Sequence, residues 1–230
     1  MAVYTVDVYA FFVNSASPRT NIGRIKQDII NANRAWNGCI KFDLKDIHFC
    51  KKEQILNAGS ISTEKVFRNQ QINLLYNNAR NTMNNKIGIY VFYLNGKYLD
   101  EVNGRRVVGV AGTELIDYKH GKDYKLIGRV LLTEMAGPFT FAHECGHVLF
   151  KRYHSTKNTF IHNDPSGPYI NPKTKKIDSA HNNDRNNLMF PISPFQNPMI
   201  TSEQCKIAKL SKITRKRMVY MDEDFDVNFF

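Results

Sequence analysis

The five residues His143-Glu144-Cys145-Gly146-His147 constrain this chain more than any other stretch of it. On a helix of 3.6 residues per turn, positions four apart point to nearly the same side, so both imidazoles can reach one metal ion at roughly 2.0 to 2.1 Å. One residue on from His143, Glu144 stands about 100° round the helix. There it lies beside the metal without binding it, placed to act as a general base. Cys145 is about 200° round from His143 and reads as a core thiol. Phe141, Cys145 and Val148, at i, i+4 and i+7, form the apolar stripe that anchors the opposite face, and Gly137-Pro138 opens the helix.

The chain before that helix reads as alternating strands and helices. Residues 3–13 form a strand, and Asn21 caps a helix whose Ile22, Ile25, Ile29 and Trp36 recur at helical spacing until Gly38 stops it. Ile40, Phe42 and Leu44 alternate with Lys41, Asp43 and Lys45, the pattern of a strand with one face on a core and one in water. Residues 63–83 predict one helix with Val66, Phe67, Leu74, Leu75 and Ala79 inward, and the apolar run 87–94 suits a strand buried on both faces. After a turn at Asn103-Gly104, residues 106–111 and 126–133 supply two more strands, with 117–125 as a polar loop between them.

Beyond the motif helix, residues 151–180 are rich in Asn, Pro, Lys and Gly and predict a long irregular segment. A last helix starts at Thr201-Ser202, turns Ile207, Leu210 and Ile213 inward, and ends in Arg215-Lys216-Arg217, since cations suit a helix C-terminus. Residues 221–230 form an acidic-aromatic tail, leaving 1–220 as one expected domain.

Catalytic zinc usually takes three protein ligands and keeps a fourth position open, so two histidines need a third. The run from His181 to Pro191 resembles the matrix-metalloproteinase branch of the metzincins. There the third histidine is followed by Asp, by the methionine of a tight turn, and then by an aromatic residue and Pro; His181, Asp184, Met189, Phe190 and Pro191 match in order. The resemblance implies that Zn2+ is held by His143, His147 and His181, that Glu144 is the catalytic base, and that Met189 is the Met-turn residue under the metal. The implied activity is that of a zinc metalloendopeptidase acting on protein or peptide substrates.

The order of elements over residues 3–213 is similar to that of the reprolysin-like metzincins. It implies an α+β, metzincin-like zincin fold: a mixed, mostly parallel five-stranded sheet with helices, the motif helix and a C-terminal helix. In that family the strand two before the motif helix is a sheet edge that pairs with extended substrate. Val107, Val108, Gly109, Val110 and Ala111 occupy that place.

The chain departs from the family where the motif usually continues with a bending glycine and a close third histidine. Phe150 stands at the glycine place and Tyr153 at the histidine place. An insertion of about 151–180 that rejoins the pattern at His181 accounts for this. His154 is the competing ligand, with His162, Asp164 or Glu203 behind it. A catalytically degenerate, metzincin-like binding module is the alternative function. Residues 164–167 and 182–184 are oxygen-rich enough to hold calcium, although such loops are common without it.

The 42% apolar content is ample for a buried core. No run approaches the roughly 18 apolar residues of a membrane span. The apolar start contains Asp7 and lacks both preceding basic residues and a cleavage site, so no cleaved signal is expected. The net charge of +11 comes from scattered lysines without a nucleic-acid motif, which reads as a solvated basic surface with no specific nucleic-acid partner. Four cysteines in a chain this long are expected to be free thiols. The expectation is a soluble monomer, secreted or delivered to a target cell as a toxin or effector without a cleaved signal, and otherwise cytoplasmic.

Overall fold

The computed structural model describes residues 2–102, 105–192 and 196–218. Its centre is a six-stranded, mostly parallel sheet in an α+β arrangement. Strand β1 (Ala2–Val13) runs parallel to β2 (Lys41–Phe49) and to β3 (Ile89–Leu94). β3 pairs in parallel with β5 (Asp123–Leu132), which forms an antiparallel hairpin with β4 (Gly109–His120). The sixth strand, β6 (Arg215–Met218), lies antiparallel on the start of β1.

Side chains alternate across the strands, and two cores result. Val8, Ala10 and Phe12 of β1 and Val91 of β3 pack with Trp36, Phe42, Phe141 and Phe150. Tyr9, Phe11 and Val13, with Tyr90 and Phe92, pack on the other face with Ile72 and Tyr76. All six residues of β3 are buried, so the continuous apolar run is a strand covered on both sides.

Helix α1 (Pro18–Ala35) begins three residues before the expected cap. Ser17 caps it, accepting from the Thr20 N–H, with proline in the first turn; Asn21 is instead buried and donates to Asn14 and the Ala16 carbonyl. The expected single helix over 63–83 is two pieces, a 3-10 segment at Thr63–Arg68 and α2 (Gln70–Thr82). The Asn69 side chain accepts from the N–H groups of Gln71 and Ile72 and so restarts the helix. This sets Ile72, Tyr76 and Ala79 inward and leaves Leu74 62% exposed, against expectation.

The expected loop at 117–125 is mostly strand, because β4 and β5 extend to a tight turn at Gly121, whose φ is +49°. The expected strand at 106–111 is divided: Arg105–Val107 pairs with Leu99–Val102 in a separate ribbon, and β4 starts at Gly109. The Asn103-Gly104 turn and residues 221–230 lie outside the described residues.

The last helix, α4 (Ser202–Lys209), has the expected start, a capping box between Thr201 and Gln204. It stops earlier than expected. Leu210 is 70% exposed, and Arg215-Lys216-Arg217 belong to β6, where Arg215 pairs with the buried Asp7. A buried carboxylate in need of a cation outweighs the weak preference of cations for a helix end. That pairing adds a strand to the five expected.

Two of the cysteines are not free, contrary to expectation. Cys39, after α1, is disulfide-bonded to Cys205 in α4 with a Cα–Cα distance of 5.6 Å, while Cys50 and the buried Cys145 are free thiols. The bond joins positions 166 residues apart, so it restricts the unfolded chain strongly. A Cys39→Ala/Cys205→Ala protein is expected to lose about 2 to 4 kcal/mol of stability, measured by urea unfolding against the oxidised parent. No helix among the described residues is long and apolar enough to cross a membrane.

Candidate metal centre

Helix α3 (Thr140–Leu149) carries the motif, and its apolar stripe is fully buried: Phe141, Cys145 and Val148 have no exposed surface. The Trp36 indole N–H donates to the Ala142 carbonyl at 3.1 Å, which ties the helix to the core beside α1. With one face fixed, His143, Glu144 and His147 line one cleft on the other.

The segment after α3 is mostly irregular, as expected, but contains two short ribbons. Arg152–His154 pairs with Thr159–Ile161, and Tyr169–Ile170 pairs with Ile177–Asp178, giving two short antiparallel ribbons. The second ribbon delivers His181. One ring nitrogen from each of His143, His147 and His181 lies within 4.8 Å of the others, so the three could hold one metal ion. The Nε2 atoms of His143 and His147 are 3.1 Å apart. Two nitrogens bound tetrahedrally to one zinc ion at roughly 2.0 to 2.1 Å are about 3.3 Å apart. Bringing two imidazole nitrogens together fits this separation without rearrangement of the helix.

Two of the rings are oriented by hydrogen bonds on their far side. His143 Nδ1 donates to the Leu188 carbonyl at 2.7 Å, and His181 Nδ1 donates to Asp178 Oδ2 at 2.8 Å. Both acceptors are oxygens, so each Nδ1 carries the proton and each Nε2 keeps its lone pair for the cluster. Burial, and next the charge of His181, pushes the His143 pKa down to about 4; burial and the neighbouring histidines push His147 well below its usual value. Both rings are therefore neutral ligands at neutral pH.

Asp178 went unnoticed in the sequence, where its one signal is a carboxylate three residues before a histidine. Replacing it by alanine is expected to weaken metal binding about 10- to 100-fold at unchanged fold, measured by competition with a chromogenic chelator.

Met189 is fully buried beneath the site. A Cβ at Gly146 would press on its Sδ, so only glycine leaves room for that sulfur against the motif helix. The loop around Met189 is held by a buried amide network that sequence reading also missed. Gln204 donates to Asp164 Oδ2 at 2.8 Å and to Asn187 Oδ1 at 2.9 Å, and Asn187 donates back to Gln204 at 3.0 Å. Asn187 Oδ1 in turn accepts from the Met189 N–H. Polar residues without alternation give no pattern from which such a network could be found.

None of the other candidates belongs to the three-histidine group among the described residues. His154 sits in the first ribbon and accepts from the Lys157 N–H; His162 lines the cleft. Glu203 is in the first turn of α4. Asp164, the possible calcium ligand, is engaged by Gln204 and by the Ser166 N–H. Asp184 is exposed and accepts from the Asn186 N–H.

Glu144 is 6% exposed and makes no hydrogen bond among the described residues, and burial alone pushes its pKa up to about 8. Such a carboxyl suits a site that gains a cation beside it. The cleft in front of it has a volume of about 970 Å³ and is walled on one side by Val107, Val108, Gly109, Val110 and Ala111. Val107 belongs to the separate ribbon, and the Thr133 N–H donates to the Val108 carbonyl, which carries the β4–β5 pairing one residue before Gly109. A Cβ at Gly109 would lie 2.7 Å from Thr140 Cγ2 and 3.0 Å from Glu144 Oε1; its absence lets the edge strand approach the carboxylate. β4 ends the sheet order, with its second edge unpaired among the described residues.

No family model matches the chain, and no curated protein matches it in sequence. Among solved structures it is similar to metalloproteinase-II from Bacteroides fragilis, at 14% identity and a TM-score of 0.48, over 90% of this chain and 52% of that one. It is also similar to a chain in a chaperone-substrate complex, at 13% identity and a TM-score of 0.45, over 90% of this chain and 34% of that one. The chain thus spans about half of the first and a third of the second. Likeness at this level leaves the functional reading to the geometry of the site.

Proposed function

We propose that this chain is a metzincin-type zinc endopeptidase that hydrolyses peptide bonds of protein substrates. The observation that carries the reading is the convergence of three imidazole nitrogens from His143, His147 and His181, with the unpartnered Glu144 carboxyl beside them. Three nitrogen donors with an open side suit zinc, and bound zinc supplies the Lewis acidity that polarises a scissile carbonyl and acidifies the attacking water.

The chain's own groups do the rest. The unpaired edge of β4 from Gly109 onward binds an extended peptide by strand addition. Glu144 accepts a proton as the water oxygen attacks the carbonyl carbon, then delivers it to the amide nitrogen as the C–N bond breaks. Met189 and Gly146 keep an apolar floor under the histidines. The Cys39–Cys205 bond favours an oxidising compartment, in keeping with a secreted enzyme or one delivered to a target cell.

The test is hydrolysis of a peptide library by zinc-loaded protein. Cleavage abolished by a chelator and restored by zinc supports the reading. A folded protein with one zinc per chain that cleaves nothing would instead be a binding module.

A further inference from the structure

Among the described residues the cleft wall carries three cations, Arg106, Arg129 and Lys151, and one carboxylate, Glu144. Arg129 is held most firmly of the three. Its guanidinium carbon lies 4.8 Å from the ring centre of Phe67 and 4.7 Å from that of Tyr76. Two aromatic faces orient the guanidinium plane and hold the charge in place. Its Nε is buried without a hydrogen-bond partner; one oxygen of the nearby Glu114 accepts from Arg80 at 2.8 Å and the other is buried without a partner, so Glu114 offsets part of the Arg129 charge without bonding to it. Arg129 is thus a stacked guanidinium that lines the cleft, with no hydrogen-bond acceptor among the described residues.

Its place relative to the edge strand is fixed by register. Arg129 on β5 is the cross-strand partner of Gly112 on β4, and paired residues share a sheet face. That face is the α2 side, because the Phe67 ring covers Gly112 so closely that a Cβ there would strike it. Gly109, by contrast, faces Thr140 and Glu144 of α3. A peptide added along β4 therefore presents alternate side chains to the two faces, and the one opposite Gly112 is on the face of Phe67 and Arg129, where it meets the Phe67 ring first and reaches Arg129 past its edge. Gly109 and Gly112 are three residues apart, about 10 Å along a strand.

We infer that Arg129 forms a subsite for an acidic side chain of the substrate, about three residues from the scissile bond. The inference rests on the peptidase reading, which supplies the strand-added substrate. A guanidinium fork takes a carboxylate in a bidentate pair, which an amide of the same shape cannot replace.

The experiment compares zinc-loaded wild type with Arg129→Gln and Arg129→Lys on peptides differing only in Glu against Gln at each position within four residues of the cleaved bond. Wild type is expected to prefer Glu at one such position by about tenfold or more in kcat/KM, a ratio that falls to near one in Arg129→Gln and is partly kept in Arg129→Lys. A purely structural role for Arg129 lowers both peptides alike and leaves the ratio unchanged. Cleavage without an acid preference in wild type, or a preference that survives Arg129→Gln, overturns the inference while leaving the peptidase standing.

If no peptide is cleaved, the peptidase reading fails, and fluorescence anisotropy with labelled Glu and Gln peptides at 0.15 M salt still decides the subsite, because general charge attraction is largely screened there. Tighter binding of the Glu peptide that is lost in Arg129→Gln supports it. Equal binding of the two overturns it.

Discussion

A Glu144→Gln protein is expected to keep its metal and fold and to lose peptidase activity by about 10²- to 10⁴-fold in kcat, the usual worth of a positioned general base. Glutamine has nearly the same shape and is neutral, and burial already drives the Glu144 carboxyl toward its neutral form, so the substitution leaves a comfortably packed site. What it removes is the carboxylate that a bound cation would restore beside the histidines, and with it the proton acceptor. The measurement pairs kcat on a cleaved peptide with zinc content per chain. Full activity with zinc retained would sink the proposed role, and loss of zinc together with activity would make Glu144 a structural part of the site instead.

The second large effect is on the metal. His181→Ala is expected to abolish stoichiometric zinc binding at micromolar protein, because a pair of imidazoles on one helix lacks the third donor that a catalytic zinc site usually has. His154→Ala is expected to bind zinc as the parent does, since His154 is engaged in its own ribbon by the Lys157 N–H. Elemental analysis of the two folded variants checks both. The reverse pattern would move the ligand to His154 and leave His181 as the partner of Asp178 alone.

How far the sequence reveals this molecule depends on whether a feature is periodic. Strands β1 and β3, and the helix bearing the motif, are legible because apolar spacing repeats along them and one face of α3 is wholly apolar. The restart of α2 at Asn69 is not, because a capping asparagine among many asparagines carries no period, and in the restarted helix Leu74 faces outward. Residues Arg215–Met218 satisfied a local helix-end rule, yet their conformation is decided by the distant, buried Asp7. The Cys39–Cys205 bond is likewise a meeting of two segments that no local pattern brings together.

At the site, the helical spacing places His143 and His147 together without help. The approach of His181 depends on the two ribbons within 151–180, and the groups that orient the histidines, Asp178 and the Leu188 carbonyl, are tertiary neighbours. The resemblance to metzincins pointed to His181 across a segment whose length and composition gave no other guide. The Gln204 network that secures the Met189 loop lay beyond either kind of reading.

The most direct test is anomalous diffraction at the zinc edge from crystals of the zinc-loaded protein. One peak about 2.0 to 2.1 Å from the Nε2 atoms of His143, His147 and His181, with Glu144 beside it and outside bonding distance, is the predicted result. A peak bound by His154 in place of His181, or one bound directly by Glu144, would contradict the account.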